Sequence, residues 1–175
     1  MLSLATFIFG MALGLLSVVL HLPTSVTFIL PLITFGIPLS IFDIRQRRLP
    51  NVLTGALFLS SIGIAVTNSL LRHESHRLVL GLGGAASMIA FYFMISLLSR
   101  GGLGMGDVKL AFPLGFISGF FGIRAVWISN FFAISIGALF SIVLLLFARA
   151  GVKSTIPFGP FMLFGQLLCL LLLTP

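Results

Sequence analysis

The chain has 175 residues, 59% of them hydrophobic and only 7% charged, with a mean hydropathy of +1.25. That much apolar surface exceeds what a soluble domain of this length can enclose, so the chain reads as an integral membrane protein made of spanning helices. The net charge of +7 does not point to nucleic acid: the ten basic residues fall mostly in short loops between apolar runs, where orientation and contact with membrane lipid account for them.

Apolar runs at roughly 2–21, 25–42, 51–70, 78–98, 107–121, 125–147 and 157–174 predict an all-α, polytopic transmembrane bundle of about six or seven helices. The first run has no Lys or Arg before it, so the basic start of a cleaved signal peptide is missing and the segment is expected to stay as a helix. The fifth run is short and carries Asp107, Lys109, Pro113, Gly115 and Gly119. It is expected to be a tilted or irregular helix buried among its neighbours, because broken backbone is tolerated only where protein covers it. The small residues Gly81, Gly83, Gly84, Ala85 and Ala86 predict close helix packing in the fourth run. Cys169 stands in the last run as the sole cysteine, so no disulfide within the chain can form.

With a cytoplasmic N-terminus and seven spans, Arg45, Arg47, Arg48, Arg100, Lys109, Arg149 and Lys153 lie on the cytoplasmic side, and Arg72, Arg77 and Arg124 lie outside. The positive-inside rule favours that orientation. It brings Asp43 and Asp107 to one level of the membrane.

These two acids carry the chemistry. The chain has three carboxylates, Asp43, Glu74 and Asp107, and ionisable groups at membrane depth are functional candidates by default. Two facing carboxylates can share a proton, one acting as general base on a water and the other donating to a scissile carbonyl. Gly104 and Gly106 lack Cβ atoms, so a substrate backbone could approach Asp107 closely and unusual dihedrals would be allowed. Pro50 marks the start of the third helix, and Asn51 follows it. Arg45, Arg47 and Arg48 form a basic collar that sets topology or positions a substrate. Lys109 either orients or neutralises Asp107. No metal or cofactor is expected, because His-Glu-x-x-His is missing and His73-Glu74-Ser75-His76 has the wrong spacing.

The stretch from Asp43-Ile44-Arg45 to Leu49-Pro50-Asn51, the stretch Gly104-Met105-Gly106-Asp107-Val108-Lys109, and the stretch Ile156-Pro157-Phe158-Gly159-Pro160-Phe161 occur in that order. Together they resemble the type IV prepilin peptidases, membrane aspartic proteases of the Gly-x-Gly-Asp class. The resemblance implies that Asp43 and Asp107 are the catalytic pair. It implies an endopeptidase that cuts the basic leader from pilin-like precursors, after a glycine, at the cytoplasmic face of the cell membrane. It divides the chain into an N-terminal helix, 1–24, and a catalytic domain, 25–175. Long members of the family also carry a cytoplasmic methyltransferase region with paired cysteines. The similarity here is to short forms, of the Flp/Tad or preflagellin-peptidase type, for which N-methylation is not expected. Presenilin-like proteases share Gly-x-Gly-Asp, but their Pro-Ala-Leu segment is missing here. The reading outside the enzymes is a membrane assembly or proton-coupled transport component that uses paired intramembrane aspartates.

Overall fold

The structure is a computed structural model that describes residues 2–99, 103–147 and 157–173. These residues form seven helices: α1 (Leu2–Val19), α2 (Thr24–Gln46), α3 (Asn51–Leu71), α4 (His76–Leu98), α5 (Met105–Phe120), α6 (Ile123–Phe147) and α7 (Gly159–Leu172). The helices fall on the seven apolar runs, and no strand occurs among the described residues. Four helices, α2, α3, α4 and α6, are long and apolar enough to cross a bilayer. Together with the composition, they make this a multi-pass membrane protein.

Two boundaries differ from the sequence expectation in ways that matter for the site. The run at 25–42 extends to Gln46, so Asp43 lies inside the last turn of α2 rather than beyond it. Arg47 then closes the helix in a left-handed conformation, φ 52° and ψ 35°, with its N–H donating to the carbonyl of Asp43. Pro50 marks the start of α3 as its N-cap rather than as its first helical residue, at φ −61° and ψ 124°. Its carbonyl accepts the N–H groups of Leu53 and Thr54.

The fifth run is buried, as expected, but it is a regular helix despite Pro113. Nearly every residue from Asp107 to Phe120 is enclosed, with Leu110, Ala111, Leu114 and Ile117 fully so. At 16 residues its length is only ~24 Å, short of a hydrocarbon core of about 30 Å. A helix that short can sit at membrane depth when its neighbours cover it, and α3, α4, α6 and α7 all pack against α5.

The closest of these approaches is to α4, where glycine faces glycine. A Cβ on Gly84 would lie 2.6 Å from the Cα of Gly119, and one on Gly115 would lie 2.6 Å from the carbonyl oxygen of Gly84. Small residues let two backbones touch where lipid provides no hydrophobic drive for association. Gly81, Gly84 and Ala85 of the expected small-residue cluster are buried in this seam. Gly83 and Ala86 are not: they lie on the exposed outer side of α4. Cys169 is fully buried and packs between α7 and α6, its thiol donating to the carbonyl of Ala125 at 3.4 Å.

The seam makes a prediction. Gly84→Leu should force α4 and α5 apart, and overpacking of this kind costs about 1–3 kcal/mol or more. Gly83→Leu adds the same atoms where nothing lies within 4 Å. Thermal unfolding in detergent should show a clear drop in Tm for the first variant and little change for the second. Equal Tm values would contradict the seam.

Candidate functional site

Successive helices alternate in direction, so the C-terminal ends of α2 and α4 and the N-terminal ends of α3, α5 and α7 gather at one end of the bundle. Asp43 reaches this end from the last turn of α2 and Asp107 from the first turn of α5. Both are buried, at 6% and 7% exposure. Both line one cavity of about 490 Å³, together with Gln46, Arg47, Arg48, Leu49, Pro50, Asn51, Gly104, Met105, Gly106 and Lys109.

Asp43 is held by backbone. Oδ2 of Asp43 accepts the N–H of Gly159 at 2.9 Å, a bond that joins α2 to the start of α7. A Cβ on Gly159 would lie 2.7 Å from that same oxygen, so only glycine lets the carboxylate come this close. Asp107 occupies the third position of α5, counting from the N-cap Gly104. From there Oδ2 of its carboxylate lies beside Gly104, where an added Cβ would stand 3.5 Å from it. The helix N-terminus also favours a negative group at that place. Oδ1 of Asp107 is buried and has no hydrogen-bond partner.

The two glycines before Asp107 act differently from the expectation of unusual dihedrals. Gly104 has φ −68° and ψ 143°, an ordinary extended conformation, and Gly106 is helical. Their value is in contact. Leu49, 8% exposed, folds from the α2–α3 turn onto Gly106, where an added Cβ would lie 3.2 Å from its Cδ1. The turn that follows Asp43 is thereby seated on the turn that carries Asp107.

The remaining expected residues separate into two sets. Arg47 and Arg48 line the cavity, whereas Arg45 is exposed and does not. Lys109 neither orients nor neutralises Asp107 through a direct bond: its Nζ donates to Oδ1 of Asn51 at 3.1 Å. That contact stands where the cavity meets a second, apolar cleft of about 400 Å³ between α3 and α5, lined by Thr54, Gly55, Phe58 and Phe112 among others. Glu74 lies at the opposite end of the bundle in the α3–α4 turn, paired with Arg77 at 2.9 Å. Of the topology charges, Arg100, Arg149 and Lys153 lie outside the described residues, as does Ile156 of the third motif. Among the described residues no cluster of His, Cys, Asp or Glu has a metal-binding arrangement.

Two features of the site escaped the sequence reading. The role of Gly159 was hidden because its partner is 116 residues away. Tyr92 is the chain's single tyrosine, sits in α4 and packs on Phe158, the residue before Gly159. A lone tyrosine in an apolar helix carries no local signal of such a contact.

The comparisons agree with the arrangement of motifs. The model of the type IV leader peptidase family matches residues 30–174. A curated prepilin leader peptidase/N-methyltransferase of Bacillus subtilis (strain 168) is 34% identical over 91 residues, which is 52% of this chain and 36% of that protein. The matched segment therefore spans about a third of the length of this curated relative. No solved structure gives a significant match.

The bond from Gly159 to Asp43 can be tested by itself. Asp43→Asn keeps an acceptor for the Gly159 N–H, whereas Asp43→Ala leaves that donor buried and unmet, which costs about 1–3 kcal/mol. Amide hydrogen exchange at Gly159 should be clearly faster in the Ala variant than in the Asn variant. Equal exchange in the two would mean that the carboxylate does not hold the start of α7. The family match covers more than four-fifths of the chain and includes all three motif regions, so this protein belongs to the type IV leader peptidase family.

Proposed function

We propose that the protein is a membrane aspartic endopeptidase that removes the basic leader from pilin-like precursors, with Asp43 and Asp107 as its catalytic pair. The observation that carries this reading is the shared cavity: two buried carboxylates from distant helices line it at one end of the bundle, and backbone orients Asp43. Membership of the leader peptidase family supports the substrate class.

The chemistry follows from the pair. Two carboxylates that converge on one water do not both ionise readily, so at working pH one holds a proton and the other is an anion. The anion takes a proton from a water as that water attacks the scissile carbonyl carbon. The protonated partner donates to the carbonyl oxygen, and the tetrahedral intermediate then collapses with protonation of the leaving amine. The pair titrates as a unit, so the two roles belong to the dyad as a whole. Gly104, exposed where it lines the cavity, presents bare backbone to it.

The charge pattern supports cleavage at the cytoplasmic face. Arg45, Arg47, Arg48 and Lys109 stand at the carboxylate end, and Arg72, Arg77 and Arg124 at the other. Arg100, Arg149 and Lys153 follow α4 and α6, whose C-terminal ends also point to the carboxylate end. That is the sense the positive-inside rule favours. The collar has the same sign as a basic leader, so holding the chain's orientation accounts for it better than attraction of the leader does. The ion-pair alternative, in which each aspartate serves a Lys or Arg, is less well supported: Asp43 takes a backbone N–H, Lys109 turns to Asn51, and Oδ1 of Asp107 has no partner.

Co-expression with a pilin-like precursor tests the proposal. Asp43→Asn and Asp107→Asn should each abolish processing, the double variant should be no worse than either, and Glu74→Gln should leave processing near normal. Chelators should have no effect. Substantial cleavage by either single Asn variant would falsify the aspartic mechanism.

A further inference from the structure

Tyr92 is 1% exposed, and its hydroxyl is buried without a hydrogen-bond partner. Placing an unbonded hydroxyl in an apolar interior is unfavourable, and native structures rarely do so without a role for the group. A phenylalanine would fill the same space, and nineteen phenylalanines elsewhere in the chain show how freely that residue is used here. The hydroxyl is therefore the feature that needs an explanation.

Its surroundings supply one. The ring packs on Phe158 at 6.0 Å between centroids, and Phe158 immediately precedes Gly159, whose N–H holds Asp43. Asp43 shares its cavity with Asp107, whose Oδ1 is, among the described residues, the other buried oxygen at this end of the bundle left without a partner. One unmet donor and one unmet acceptor thus lie in the same enclosed region, between the backbone that fixes one carboxylate and the helix that bears the other.

We propose that Tyr92 is a positioning residue of the site, its hydroxyl donating to Oδ1 of Asp107 through one bridging water. The bridge gives the otherwise unmet Oδ1 of Asp107 a donor. A donor to the ionised form favours that form, so the phenol helps to keep the dyad singly ionised. The other charged groups at this end are Asp43 from α2, Arg47 and Arg48 from the α2–α3 turn, and Lys109 from α5; Lys109 is engaged with Asn51. This inference rests on the proposed catalytic pairing for its effect on rate, but the contact itself can be measured without turnover.

The single tyrosine makes the test direct. Biosynthetic replacement with 3-fluorotyrosine in a tag free of tyrosine places one fluorine reporter in the whole chain, in its native fold. The 19F resonance, recorded in lipid nanodiscs across roughly pH 3 to 9, the range into which buried carboxylates are displaced, should move with a carboxylate titration. Asp107→Asn should abolish that movement. A resonance that stays flat, or that titrates unchanged in Asp107→Asn, would overturn the proposal whether or not the protein cleaves anything. In the co-expression assay, Tyr92→Phe keeps the ring packing and should lower kcat by about tenfold with little change in KM, as expected for loss of one hydrogen bond to a charged group. The acidic limb of its pH–rate profile should move to higher pH. A Tyr92→Phe variant with an unaltered pH profile and kcat would also refute the role. If the wild type fails to process the precursor while the fluorine titration behaves as described, the proposed substrate is wrong and the contact stands.

Discussion

The hydrogen bond from the Gly159 N–H to Oδ2 of Asp43 ties the last turn of α2 to the first turn of α7. Most of the site depends on it. An ionisable group at membrane depth is costly unless it is enclosed and given partners. Asp43 obtains a donor only because α7 begins with glycine at that point, and α7 can begin there only because the carboxylate accepts its first N–H. The same mutual fit appears at Asp107. Gly106 leaves room for Leu49, and Leu49 fixes the turn after Asp43 against the turn that holds Asp107.

Enclosure of the second carboxylate relies on α5 being short and central. A full-length span would carry its first turn out to the lipid headgroups. A 16-residue helix covered by four neighbours can present Asp107 just inside the bundle instead. The glycine seam with α4 makes that cover tight, and it also sets α4 so that Tyr92 packs on Phe158 at the start of α7. Packing in the middle of the membrane and electrostatics at one end are in this way parts of one arrangement. A second buried polar group, in which Ser118 donates to Gln166 at 2.6 Å and lies 3.0 Å from Ser129, links α5, α6 and α7 further along the bundle. It holds the far part of α5 in place while the near part holds the site.

Much of this was legible in the sequence for physical reasons. Helices in lipid must satisfy their own backbone, so apolar runs and helices coincide, and the parity of the runs puts Asp43 and Asp107 at one end. The scarcity of acids made those two stand out. Other features could not be read. The dihedrals of Gly104 and Gly106 proved ordinary, because the requirement there is steric and comes from Leu49, in another turn. Lys109 turned to Asn51, a choice between two near partners that spacing does not decide. Gly159 and Tyr92 act through contacts over long sequence separations, and local pattern carries no trace of those. Arg45 fell outside the cavity because α2 continues through it, directing it away from its neighbours Arg47 and Arg48.

The central claim is that Asp43 and Asp107 converge as a pair. The most direct measurement is cross-linking of Asp43→Cys/Asp107→Cys in a Cys169→Ala background, in native membranes, with a thiol-specific reagent whose span is a few ångströms. The account predicts an intramolecular link in the double variant, read as loss of both free thiols by mass spectrometry of the joined peptides. Two thiols that each label separately yet never link, while the short reagent joins a control pair at Asn51 and Lys109, would contradict it.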